Sequence, residues 1–187
     1  MKLGKYTFLV FVATLVLGLA SCTKTTLQIA IADEKVLLAK YIAKYHKDVT
    51  PTASGLYYIE TKAGTGNAIV AGNYVKVFYK GYLIEDNDSL GVKDGYNFDS
   101  SGNYEPFGFT VGTSSVIAGW DEAILLMKEG GEAKWVIPSK DAYAGQTQSS
   151  IPAYSSLVFY VKVYKVYRST DTLKTIQKVP VLPLKMN

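Results

Sequence analysis

The spacing of apolar residues changes three times along the chain. From Phe8 to Ala20 the run is almost wholly apolar. From Leu27 to His46, apolar residues (Leu27, Ile31, Leu38, Tyr41, Ile42, Tyr45) recur at roughly the 3.6-residue period of a helix, with Lys35, Lys40, Lys44 and Lys47 largely elsewhere. That predicts an amphipathic helix able to pack on the rest of the molecule or on a partner chain. Pro51 and Gly55 mark the boundary after it. From there the period drops to two. "GLYYIETKAGTG" reads as a strand and a glycine turn. "NYVKVFYKGYL" puts Val75, Val77, Tyr79 and Leu83 on one face and Lys76, Phe78 and Lys80 on the other. The polar stretch Glu85 to Asn97 predicts a loop or bulged hairpin. "PFGFTVG" aligns Phe107, Phe109 and Val111.

"VIAGWDEAILLMKEGG" is the single helical pattern in this part. Asp121 and Glu122 suit its positive end and Lys128 its negative end, and Gly130 and Gly131 are expected to stop it. "EAKWVIP" and "SLVFYVKVYKVY" close the pattern as strands, the second with Leu157, Phe159, Val161 and Val163 on one face. No internal repeat is present. Residues 168–187, with two prolines and no strong period, are expected to be extended or loosely docked. Several antiparallel strands and one short helix make an α+β domain, with Trp120, Ala123, Ile124 and Met127 buried on the sheet.

Composition sharpens this picture. The 187 residues are 48% hydrophobic and 19% charged, with fifteen tyrosines, a residue that favours half-buried sheet. The net charge of +4 comes without a long basic block, so no nucleic-acid partner is expected. Lys2 and Lys5 precede the Phe8–Ala20 run, which is shorter than the roughly 20 residues of a membrane span and fits a secretory signal. "LASC" then places Cys22 after two small residues and resembles the lipobox of bacterial lipoproteins. That resemblance implies a lipid on Cys22 and a Gram-negative envelope location, on the outer membrane facing the periplasm. Plain secretion with a chance cysteine is the alternative. Removing residues 1–21 removes Lys2 and Lys5, taking the charge from +4 to about +2. The lone cysteine excludes an intramolecular disulfide and a cysteine-rich metal site. His46, the only histidine, is expected to be exposed and structural.

Taken singly, the candidate functional residues have ordinary readings. Asp99 in "FDSS" is a turn-capping residue, and alternating phenylalanines are core. Tyr143 is as much a packed loop tyrosine as a donor. Trp120 is either core or the floor of a pocket at the helix start. Their combination is more specific. "VKVFYKGYL", "NFDSS", "PFGFTVGTSSVIAGWDEAILLM", "GGEAKWVIPSKDAYAG" and "IPAYSSLVFYVKVYKV" follow one another through residues 55–167. The series resembles the FKBP-type peptidyl-prolyl isomerases. The resemblance implies a curved antiparallel β-sheet wrapped around one short α-helix, here with an N-terminal helical extension. The layout it gives is a signal peptide (1–21), a lipidated tether and amphipathic helix (22–54), an FKBP-like domain (55–167) and a tail (168–187).

It further implies a proline cup lined by Phe98, Phe107, Val116, Trp120, Ala142, Ile151 and Phe159. Tyr79, Asp99, the Ile117 N–H and the Tyr143 hydroxyl would act on the amide. No cofactor or metal is expected, and the partners would be proline-containing polypeptides. Rotation about a peptide bond meets a barrier of about 18–20 kcal/mol from C–N resonance, and lowering it needs no nucleophile. The chain also departs from the family pattern. Residues 84–97 lengthen a connection that would enter beside Phe98 and Asp99, where it would cover or extend the cup. "SSGNYEPF" lacks the family's arginine partner for the aspartate, "AGQTQSS" is short and polar, and Ser115 replaces a common acidic residue. Three functions are therefore carried forward: an isomerase for exported proteins, a catalytically weak chaperone or peptide-binding module of the same fold, and an envelope assembly role. The last would use the N-terminal helix and the long loop at 84–97, with a homodimer through the helix.

Overall fold

The computed structural model describes residues 25–87 and 91–168. The signal segment, Cys22 and residues 169–187 of the tail lie outside them. The chain divides into two compact units, residues 1–32 and 33–187. In the first, only the start of helix α1 (Thr26–Tyr45) is described, where Thr25 and Gln28 exchange side chain–backbone hydrogen bonds.

The second unit is built on one antiparallel sheet. Its strands are β1 (Tyr57–Lys62), β2 (Tyr74–Asn87), β3 (Gly91–Ser100), β4 (Phe107–Thr110), β5 (Glu132–Ile137) and β6 (Leu157–Tyr167). They are ordered β1-β5-β6-β2-β3, with β4 on the edge of β2 ahead of β3. Helix α2 (Ala118–Ile124) crosses one face. This is the α+β architecture expected from the alternation, and the faces of β2 and β6 fall as read. Val75, Val77, Leu157, Val161 and Val163 pack with Phe109, Trp135 and Ile137 against Trp120, Ala123 and Ile124 of α2. Gly119 lets the helix approach β5: a Cβ there would stand 2.4 Å from Cγ2 of Ile137.

Three expectations need correction. Helix α2 ends at Ile124, not at Gly130. The next N–H groups, of Leu126 and Met127, bond to Ala123 and Ile124 in tight turns. Residues 127–129 are then claimed by residues 67–69: the Ile69 N–H donates to Met127 and the Glu129 N–H to Asn67. Lys128 therefore lies beyond the helix, bridged to Ala68.

Second, the described residues of 84–97 do not cover the cup. Residues 84–87 and 91–97 belong to β2 and β3, which pair with bulges, and their Ile84 and Val92 join Val136 and Val158 on the opposite face of the sheet. There they pack under Leu37, Leu38, Tyr41 and Ile42 of α1. Beside these groups lies a half-buried polar cluster. The Asp94 carboxylate accepts from the Tyr41 and Tyr160 hydroxyls and pairs with Lys134 at 3.4 Å. The Lys134 ammonium also lies 4.8 Å from the Tyr160 ring centroid and 5.1 Å from that of Tyr41, a cation–π arrangement. Burial lowers the Lys134 pKa against the opposing pull of Asp94.

Third, His46 is not fully exposed. It is half-buried beside Tyr41 and Tyr45, and its Nε2 has no hydrogen-bond partner among the described residues.

Candidate active site

The helix-bearing face opens at the start of α2 into a cup of ≈ 210 Å³. Trp120 is its floor. The indole is 4% exposed and is ringed by Tyr79, Phe107, Phe109, Trp135 and Phe159, with centroids 5.0–6.0 Å away. Four of these contacts are within a few degrees of perpendicular, the edge-to-face arrangement that aromatic quadrupoles favour. Phe98 and Phe159 form one wall at 5.6 Å and 90°, and Phe107 with Val116 forms another. The Phe98 and Phe159 rings meet only because residue 81 between them on β2 is glycine. A Cβ there would come 2.7 Å from Phe98 Cζ and 2.9 Å from Phe159 Cε1.

The rim is polar. The Tyr79 hydroxyl donates to Asp99 Oδ2 at 2.5 Å. Burial, then this bond and the Asp99 charge, push the Tyr79 pKa up, so it stays a neutral donor. Asp99 is exposed, and no cation pairs with it among the described residues. Tyr143 is half-buried. Burial first and the Asp99 charge second raise its pKa as well. Its hydroxyl meets no partner among the described residues. Ile117 stands at the start of α2 with extended backbone (φ −61°, ψ 151°). Its carbonyl accepts from the Trp120 N–H at 2.9 Å, while its own N–H finds no acceptor among the described residues. Asp121 steadies the preceding loop by accepting from the Gly112 N–H at 2.8 Å.

Tyr79, Phe98, Asp99, Phe107, Val116, Ile117, Trp120, Tyr143 and Phe159 thus converge, as the sequence suggested, and Ser115 joins them. Ala142 and Ile151 do not line the cup. Ile151 is 6% exposed and belongs to the core, turned inward by a tight turn whose hydrogen bonds it exchanges with Gln148. Ala142 packs on the same core. Gly81 was missed. Its signal was present: it interrupts the inward series Tyr79–Leu83, and glycine inside a strand marks close approach. Among the described residues no group of three His, Cys, Asp or Glu side chains could hold a metal ion. A larger groove of ≈ 600 Å³, lined by Phe78, Lys80, Tyr82, Tyr160 and Lys162, lies on the opposite face. None of its aromatic residues is buried, so it has no floor like Trp120, and the cup is the better candidate.

An apolar, aromatic-floored cup at the start of the short helix α2 on a six-stranded antiparallel sheet defines an FKBP-like fold. The family profile for FKBP-type peptidyl-prolyl cis-trans isomerase matches residues 66–164, more than half of the chain, and the chain belongs to that family. A probable FKBP-type peptidyl-prolyl cis-trans isomerase FkpA of Neisseria meningitidis serogroup B is 43% identical over 120 residues, covering 63% of this chain and 40% of that protein. An FK506-binding protein of the same bacterium is 36% identical over 115 residues, covering 60% of this chain and 97% of its own length. The crystal structure of FkpA from Escherichia coli superposes with a TM-score of 0.63 at 31% identity, covering 90% of this chain and 75% of that one. The chain thus spans about two fifths of the first of these relatives.

Proposed function

We propose that the protein is a peptidyl-prolyl cis-trans isomerase that assists the folding of exported proteins. The observation that carries this reading is the pair of unbonded donors, the Ile117 N–H and the Tyr143 hydroxyl, on the rim of an apolar cup floored by Trp120. A proline ring would sit on Trp120 between Phe98, Phe107 and Phe159. The two donors would hold carbonyls of the flanking chain. Desolvation in the cup weakens the charge-separated resonance form that keeps the amide planar. Asp99, oriented by Tyr79, would set a negative oxygen against the twisting group. Only interactions stronger for the twisted than for the planar amide lower the barrier. A hundredfold acceleration needs about 2.7 kcal/mol, within the range of two directed hydrogen bonds and partial desolvation.

The lipobox-like "LASC" supports a lipid anchor on Cys22 and a place in the bacterial cell envelope. The test is a proline-peptide isomerisation assay on wild type and Asp99→Leu together. Wild type should exceed the uncatalysed rate, and Asp99→Leu should fall well below wild type. A folded wild type no faster than the uncatalysed reaction would sink the reading.

One observation favours a second reading, a peptide-binding module with weak catalysis: no cation among the described residues fixes Asp99. That reading requires peptide binding to survive both Asp99→Leu and Tyr143→Phe.

A further inference from the structure

Glu34, in the half of α1 that packs on the sheet, is far from the cup, yet its carboxylate reaches the loop that carries Tyr143. Its Oε1 accepts from the Ser139 N–H at 2.6 Å and from the Ser156 hydroxyl at 2.7 Å, and its Oε2 accepts from the Ser139 hydroxyl at 2.6 Å. Ser139 and Ser156 are 3% and 6% exposed. The last rung of the β5–β6 ladder pairs Ile137 with Leu157. The carboxylate therefore adds one more rung beyond the ladder, across the neck of the 138–156 connection. Both serines point polar atoms into a region sealed from solvent, and the negative charge comes from a different element. Buried donors left without an acceptor are costly, so the carboxylate fixes the conformation of Ser139.

That conformation matters one step further on. The Ser139 carbonyl accepts from the Ala142 N–H at 2.9 Å and the Ala144 N–H at 2.7 Å. These two amides flank Tyr143. On the far side the Ala144 carbonyl accepts from the Tyr154 N–H at 2.7 Å. The Tyr143 carbonyl itself accepts from the Gln146 N–H at 3.0 Å, so Tyr154 and Gln146 also hold this loop. The amides on both sides of Tyr143 nevertheless share one acceptor, the carbonyl of Ser139, whose N–H and hydroxyl are both held by Glu34. The Tyr143 ring then extends to the cup with no other hydrogen bond to locate its hydroxyl.

We propose that Glu34 is a positioning residue for the isomerase site: through Ser139 it sets where the Tyr143 hydroxyl meets substrate. This rests on the isomerase reading above. It couples α1, which lies on one face of the sheet, to the polar rim of a cup that opens on the other. Glu34 touches no substrate and carries no proton in the reaction. Its effect is on the geometry of one donor.

The test is a double-mutant cycle on the full chain, reading KM and kcat separately with a chromogenic X-Pro tetrapeptide. Glu34→Ala should raise KM about tenfold, the loss of one well-placed hydrogen bond, and leave kcat within about twofold. In a Tyr143→Phe background the same change should move KM by less than about twofold, because the hydroxyl it positions is gone. Glu34→Gln, which keeps an acceptor and adds a donor that a serine hydroxyl can accept, should stay within about threefold of wild type. A merely structural role would instead give Glu34→Ala the same effect in both backgrounds, and that result overturns the proposal. So does a Glu34→Ala protein with wild-type KM. Should Glu34→Ala fail to fold, Glu34→Asp, which keeps the charge but withdraws it from Ser139, is run through the same cycle with the same criteria. A wild type with no activity above the uncatalysed rate, or a Tyr143→Phe protein with unaltered KM, would defeat the isomerase reading or the role of Tyr143 in it, before Glu34 is reached.

Discussion

Gly81→Ala adds one methyl group between the two rings that make the cup's wall. The new Cβ would lie 2.7 Å and 2.8 Å from atoms of Phe98 and 2.9 Å from Phe159. Unstrained carbon contacts are about 3.5–4.0 Å, so each ring must yield by close to an ångström. Overpacking of this kind costs about 1–3 kcal/mol. Alanine returns about 0.5–1 kcal/mol relative to glycine within a strand, from the unfolded chain's lost freedom. Phe159 is 4% exposed and cannot move. Phe98 is half-buried with open space on its cup side, so it is the ring that swings. The net loss is then about 1 kcal/mol, a fall in Tm of about 2–4 °C for a domain of this size. The greater effect is on the cup, whose ≈ 210 Å³ Phe98 would partly fill. KM for a proline peptide should rise by at least about tenfold, or 1.4 kcal/mol. Thermal melting and peptide kinetics on the same sample check both halves. A large loss of stability with unaltered KM would refute the assignment of Phe98 as the yielding wall. No change in either would refute the close packing itself.

Two further outcomes are expected. Trp120→Leu should cost about 2–4 kcal/mol, because five ring contacts are lost at a nearly buried site. It should also abolish the change in tryptophan emission that a bound proline peptide causes in wild type, since Trp135, the other tryptophan, is fully buried and does not line the cup; a surviving signal would place the peptide elsewhere. His46 has its pKa lowered, first by burial and then by Lys134, with Asp94 opposing. The unfolded chain therefore takes up this proton at higher pH than the folded one does, and stability is lost as pH falls below about 6.5. Thermal melts from pH 7.5 to 5 should show that decline in wild type and a flatter profile in His46→Asn; identical slopes would remove His46 as the cause.

The fold was legible because period-two alternation is local. β2 and β6 each show their inward set, and the motif series carried the resemblance to the family fold. The cup floor was legible for the same reason: Trp120 follows Gly119 at the start of a short helical pattern. What could not be read depended on partners distant in the chain. The extent of α2 was overread because its last residues are claimed by the loop at 67–69, a competition invisible in "AILLMKEGG". The polar run 85–97 left loop and bulged hairpin both open, because Ile84 and Val92 serve a second small core that exists only when α1 lies on it. Ile151 was misassigned because the direction of its side chain is set by the turn with Gln148. Glu34 carried no signal at all, being one charged residue among several on an amphipathic helix.

The sheet has cores on both of its faces, and this determines where the chain can be shortened. A cut that begins at Gly55, where the strand pattern starts, would strip away Leu37, Leu38, Tyr41 and Ile42. It would leave Ile84, Val92, Val136, Val158 and Tyr82 facing water as a contiguous oily patch, with Lys134 and Asp94 stranded among them. Such a fragment would stick to copies of itself, to chaperones and to unfolded chains. Association measured on it would reflect the wound left by the cut. A helix that reads on paper as a detachable leader is, for this sheet, the missing half of its upholstery.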